Sequence, residues 1–168
     1  VAMYQAKAGR TGVERYVPEL DGNSVQRLAL AGDLRMALER EEFILHYQPK
    51  VDLRTNVVTG AEVLLRWAHP VHGWLPPDEF IPLAEHTGLI VPLTNYVFDH
   101  ALRQMGAWRG QGLDIGVAVN LSARTLIERD LPDRIEAMCQ RWAVPTSGVA
   151  LSASLVARRP CPCCSLTA

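Results

Sequence analysis

The connection between Asp52 and Asn56 constrains the fold more than any other feature of this chain. Before it, Phe43, Leu45 and Tyr47 alternate with Ile44, His46 and Gln48, and after it a second apolar run extends from about Val57 to Trp67. Both stretches read as β-strands. A connection this short joins antiparallel neighbours, because a parallel pair needs a crossover of about a dozen residues or more. The first two strands are therefore expected to form a hairpin.

Beyond the hairpin the pattern changes. Pro76-Pro77-Asp78-Glu79 opens a short helix that Gly88 closes, and a longer helix carries Leu93, Val97, Ala101, Met105 and Trp108 on one face before Gly110 and Gly112. A third strand follows over 115–121. A further helix with Leu131, Ile135, Met138 and Trp142 leads through Pro145 and Gly148 to a fourth strand near Val149. Strand, helix, strand, helix, strand is the order of parallel-sheet construction, either a barrel or a doubly wound sheet. Upstream, Pro18 to Asn23 is turn-rich and reads as a linker, after which Val25, Leu28, Ala31, Leu34 and Leu38 recur at helical spacing.

With 168 residues, 48% hydrophobic and 21% charged, the composition is that of an ordinary globular chain with one modest core. A net charge of −1 supplies no basic stripe, which argues against a DNA or RNA polymer as partner. No apolar run approaches the roughly 20 residues needed to span a bilayer, and no secretory leader is present, so a cytoplasmic location is expected. The start at Val1 without Met suggests a piece of something longer, whose parent could carry a membrane anchor elsewhere. Cys139 stands alone in a helical pattern and is expected to be a small buried hydrophobe, whereas Cys161, Cys163 and Cys164 crowd together without zinc-site spacing.

Few residues carry chemistry. On the second strand Glu62, Leu64 and Arg66 share one face, and Ala61, Val63, Leu65 and Trp67 share the other. Glu62 and Arg66 could be a structural ion pair. That is the commoner arrangement, and the sharper reading is a ligand to a hard divalent cation beside a guanidinium that forks onto phosphate. Asn120 and Ser122 fall at the C-terminal end of the third strand, opposite in face to Val117, Val119 and Leu121, where parallel α/β folds build their sites. An amide oxygen suits Mg²⁺ or Ca²⁺, although an Asn there can simply form a turn. Gln48 ends the first strand, able to read a base edge or merely to cap. The five histidines show no paired ligand spacing and read as structural or surface residues.

Tyr47-Gln48-Pro49-Lys50-Val51-Asp52-Leu53, Gly60-Ala61-Glu62-Val63-Leu64-Leu65-Arg66-Trp67, His69-Pro70, Phe80-Ile81-Pro82-Leu83-Ala84-Glu85 and Val119-Asn120-Leu121-Ser122, in this order and spacing, closely resemble an EAL domain over about 28–151. That family hydrolyses cyclic di-GMP to linear pGpG in bacterial second-messenger signalling. The resemblance implies an α/β fold, a TIM-like (β/α) barrel with an antiparallel first strand. It implies Mg²⁺ or Mn²⁺ as cofactor, with Glu62 (catalytic) and Asn120 as metal ligands, and Gln48 and Arg66 as contacts to the cyclic di-GMP. The signature triplet reads Glu62-Val63-Leu64, with Val in place of the central Ala, on the face away from the glutamate. Residues 1–17, with Ala2-Met3-Tyr4-Gln5-Ala6-Lys7 and Val13-Glu14-Arg15-Tyr16, resemble the C-terminal end of a GGDEF domain, the cyclic di-GMP synthase module that often precedes EAL. Residues 18–27 would then be a linker.

The chain also departs from the family. Leu151-Ser152-Ala153-Ser154 has Ser where a further metal-ligating Glu is expected, and the family's later acidic and lysine residues have no counterpart. Residues 152–168, with the run Arg158-Arg159-Pro160-Cys161-Pro162-Cys163-Cys164, read as an aberrant tail, the mark of a shifted reading frame that resequencing the coding region tests. The expectation is a partial barrel lacking its C-terminal half, inactive as a hydrolase on its own because two ligands cannot hold a pair of cations. A degenerate module that binds cyclic di-GMP or a protein partner without turnover, or a non-functional remnant, is the alternative. Unpaired sheet edges make self-association, including an EAL homodimer, an open expectation.

Overall fold

The computed structural model describes residues 19–152 and 166–167, with side chains over 29–152. The GGDEF-like segment 1–17 and residues 153–165 of the tail lie outside the described residues. The first helix, α1 (Glu19–Glu39), starts inside the stretch expected to be a linker. Asp21, Gly22 and Asn23 are weak helix formers, each costing up to about 1 kcal/mol, but a helix already nucleated gains a hydrogen bond for every residue it adds.

Strands β1 (Phe43–Asp52) and β2 (Val57–His69) form the expected hairpin. They run antiparallel with Phe43 opposite Trp67 and Gln48 opposite Glu62, and the register shifts between Lys50 and Val51. A three-residue strand, β3 (Gly73–Leu75), turns back antiparallel onto the end of β2. Helices α2 (Pro77–Thr87) and α3 (Ile90–Gly110) follow, separated by Gly88, whose φ of 78° is a left-handed cap that glycine adopts without strain. Strand β4 (Gly116–Asn120) pairs parallel to β2, the four-residue helix α4 (Ala123–Leu126) and helix α5 (Leu131–Arg141) cross over, and β5 (Val149–Ser152) pairs parallel to β4. A two-residue strand, β6 (Leu166–Thr167), lies against β1, giving the order β5-β4-β2-β1-β6. The result is an open mixed α/β sheet, antiparallel at the hairpin and parallel through β2, β4 and β5.

Two apolar clusters cover one face of this sheet. Tyr47, Val63, Val117 and Val119 pack under Phe98 and Leu102 of α3 and Ile135 and Cys139 of α5. Leu34 and Ala37 of α1 pack with Phe43, Trp67, Phe80 and Leu93. Polar groups at this face find partners: the Trp67 indole donates to Glu42 at 3.1 Å, and the Tyr96 hydroxyl donates to the Phe43 carbonyl at 3.0 Å. His69 has a structural task. Its Nδ1 accepts the backbone N–H groups of Val71 and His72, and its Nε2 faces Asp33 of α1 at 3.4 Å.

The parallel strands start from a stack of glycines. A Cβ on Gly60 would meet the Gly116 carbonyl oxygen at 3.0 Å, and one on Gly116 would meet the Gly148 carbonyl oxygen at 2.5 Å. Gly116→Ala must therefore push two backbones apart, at about 1–3 kcal/mol, and is expected to lower the melting temperature by several degrees. At Gly148 the obstacle is the Met105 methyl, the free end of a flexible side chain. A melting curve of Gly148→Ala should show the smaller loss, and a reversed order would refute the stack as a backbone constraint.

Candidate active site

The candidate residues lie on the sheet face opposite the helices. Pleating puts Glu62 and Arg66 there because Ala61, Val63 and Trp67 are buried beneath the helices. Direct pairing in the β1/β2 register brings Gln48 alongside Glu62. Strand β4 pairs with β2 from Gly60↔Gly116 to Val63↔Val119, which carries Asn120 to the C-terminal end of the sheet beside Glu62. There the Asn120 Nδ2 donates to Glu62 Oε1 at 2.9 Å. The other amide atom, Oδ1, is buried and has no partner among the described residues.

A buried acceptor without a donor costs about 1–3 kcal/mol. The Glu62 carboxylate and the Asn120 amide oxygen are both hard oxygen donors, the chemistry that Mg²⁺, Mn²⁺ and Ca²⁺ select, and the unpartnered Oδ1 leaves lone pairs that such a cation can take. On β5 the residue paired with Asn120 is Ser152, so a hydroxymethyl group occupies the third strand position of this row. Among the described residues no group of three or more His, Cys, Asp or Glu could enclose a metal.

Glu62 and Arg66 do not form an ion pair. Glu62 takes the Asn120 amide, while Arg66 Nη1 donates to the Leu65 carbonyl at 2.7 Å. Burial pushes the Arg66 pKa down, and Asp78 at the start of α2 partly offsets it. A half-buried guanidinium with donors to spare suits an anion. His46, on the same face, has its pKa lowered by burial and by the Arg66 charge, both of which favour the neutral imidazole. Ser122 is not part of the row: its Oγ accepts the Arg124 backbone N–H at 3.1 Å and caps α4. Arg124 in turn reaches the Glu85 carbonyl on α2.

A cavity of 370 Å³ that sequence reasoning missed lies beside Asn120, between the strands and helices α2 and α3. Apolar side chains such as Leu64, Leu93 and Val97 form its wall, with Asp78, Glu85 and Ser122 as polar lining. Asp78 and Glu79 read as ordinary first-turn acids, a common helix signal that hides any second role.

The EAL domain family pattern matches residues 31–159, and the chain belongs to that family. It is 43% identical over 152 residues to the bifunctional diguanylate cyclase/cyclic di-GMP phosphodiesterase MucR of Pseudomonas aeruginosa, covering 89% of this chain and 22% of the relative. It is 42% identical over 131 residues to the cyclic di-GMP phosphodiesterase PdeR of Escherichia coli, covering 77% and 20%. The chain thus spans about a fifth of the length of these curated relatives. Among solved structures, the MucR phosphodiesterase in complex with cyclic di-GMP superposes with a TM-score of 0.70 at 45% identity, covering 75% of this chain and 50% of that one. The EAL enzyme Bd1971 in its cGMP-bound form superposes at 0.69 with 26% identity, covering 78% and 38%. The α/β sheet with an antiparallel first strand is the fold of these barrels.

The Glu62–Asn120 contact yields a test that needs no turnover. Asn120→Asp replaces the donated hydrogen bond with a second carboxylate, and like charges at that distance should cost about 1–2 kcal/mol. Melting in chelator should show that loss, and millimolar Mg²⁺ or Mn²⁺ should raise the melting temperature of the variant more than that of the parent. Equal responses of the two proteins would remove the pair as a cation site.

Proposed function

We propose that this chain carries part of an EAL-type site that binds cyclic di-GMP at the C-terminal ends of β2, β4 and β5 for metal-assisted hydrolysis to linear pGpG, a site whose two ligands in this chain, Glu62 and Asn120, fall short of holding a pair of cations. The observation that carries the reading is the Glu62–Asn120 contact with its unpartnered amide oxygen, on the same face as Gln48 and Arg66. Glu62 and Asn120 would hold the cation, Mg²⁺ or Mn²⁺. When bound, such a cation neutralises charge on the phosphodiester and acidifies the attacking water. Arg66 binds phosphate through a planar fork that Lys cannot reproduce. Gln48, with a donor and an acceptor on one amide, holds the nucleotide beside Glu62.

A second reading is favoured by Ser152. A serine beside Asn120 supplies one weak neutral donor where a carboxylate would supply charge, so cyclic di-GMP binding without efficient turnover fits this row of side chains. Both readings place the module in the cytoplasm, following a GGDEF domain, with an EAL homodimer as its assembly. No helix among the described residues is long and apolar enough to cross a membrane.

Chromatography of cyclic di-GMP incubated with purified protein and Mg²⁺ or Mn²⁺, beside Glu62→Ala, separates the two. Linear product that disappears in the variant supports the hydrolase, and binding without product supports the second reading. Protein that neither binds nor cleaves cyclic di-GMP would overturn both. If Ser152 limits the site, Ser152→Glu should tighten Mn²⁺ binding about tenfold or more, by calorimetry, and unchanged affinity would mean that this position does not touch the cation.

A further inference from the structure

Trp74 is left 60% exposed at the open face of the sheet. It pairs with Ala68 across the β2/β3 ladder, which puts its indole on the same face as Glu62 and Arg66, while its neighbour Leu75 is buried and fixes the strand. His46 approaches the same place from β1, opposite Leu64. The two rings, from strands on either side of β2, meet edge to face with centroids 6.0 Å apart. Arg66 lies between Ala68 and Leu64, so the pair arches over its position. From strand rise and spacing, the Cα of Arg66 is about 8 Å from that of Trp74 and about as far from that of His46.

We propose that Trp74, braced by His46, is the stacking platform for one purine ring of a cyclic dinucleotide whose phosphate is held by Arg66. The assignment rests on the reading of this face as a cyclic di-GMP site and adds where the base goes. An edge-to-face contact steadies the indole without covering both of its faces, and a flat, electron-rich surface beside a phosphate-binding guanidinium is what a base next to that phosphate can use. Arg66 supplies the charge and Trp74 supplies the area. His46 is a positioning residue that limits the indole to one orientation.

Calorimetry and tryptophan fluorescence with cyclic di-GMP, on the full chain with Ca²⁺ present, test this. Trp74→Ala should weaken binding about 10- to 100-fold, the loss expected for one base stack, while Trp74→Phe should stay within about threefold because a flat ring remains. Ligand should quench parent fluorescence, and Trp74→Phe should lose that quench while keeping its affinity. His46→Gln should weaken binding less than Trp74→Ala does. If Trp74→Ala binds like the parent while Arg66→Ala is impaired, the platform is refuted and the cyclic di-GMP site stands. If the parent itself shows no binding, both fall. Trp74 is exposed, so equal melting temperatures are expected and separate lost stacking from lost fold.

Discussion

The side chains of β2 alternate between two environments, and the rest of the structure depends on that alternation being held in register. Val63 and Trp67 are buried under α1, α2 and α3, while Glu62 and Arg66 stand on the other face. A slip of one residue would drive a carboxylate and a guanidinium into the core and expose an indole, so the register is pinned by burial. Strand β2 is also bonded to β1, β3 and β4. Gln48, Asn120 and Trp74 are therefore placed relative to Glu62 by three ladders that meet on one strand. Site geometry here is a consequence of core packing, and no loop has to hold it.

Polar groups behave differently on the two faces. Beneath the helices, Trp67 donates to Glu42, Tyr96 to Phe43 and Thr94 to Ile90, all at ordinary hydrogen-bond distances. At the open face, among the described residues, Asn120 keeps a buried oxygen without a donor, and Arg66 donates to the carbonyl next to it. Preorganised groups that are unsatisfied in the free protein lose less on binding, because their water and partners have already been removed. Asn95 Oδ1 and Arg134 Nε are also buried without partners. Arg134 Nε is a donor in a side chain already paired with Glu128 and Asp130, so a buried orphan alone does not make the site; the convergence of two oxygen donors does.

Periodicity made most of this fold legible. The hairpin followed from a connection too short for a crossover, and helices α2, α3 and α5 followed from apolar spacing with Pro and Gly at their ends, as Pro77 and Gly88 illustrate. Elements too short to show a period escaped it, namely β3 with three residues and α4 with four. The helical start at Glu19 was hidden by Gly22 and Asn23, whose local preference is outweighed by helix propagation. In the site, Glu62 and Arg66 on one face were readable from the pleat. Their failure to pair was not, because strand spacing cannot say that Asn120 arrives from another strand to claim the carboxylate. Trp74 and His46 escaped for the same reason: their ring contact crosses three strands, and nothing local encodes it.

Val63 and Ser152 are among the positions where the resemblance to the family leads one to expect another residue, and the sheet gives them opposite weight. Val63 replaces an alanine on the helix-covered face, where it is 3% exposed in a cluster that already includes Val117 and Val119. One more branched apolar side chain there is absorbed by packing, and a β-branched residue suits a strand. Ser152, where the resemblance leads one to expect an acid, lies in the row that runs through Glu62 and Asn120 and pairs directly with the asparagine. If this row holds a cation as proposed, no packing can offset a missing charge there, since the ligand is needed for its electrons and not for its volume. Neighbours on one strand and one residue out of phase can thus be as different in consequence as core and site, and the face each side chain takes decides which departure changes chemistry.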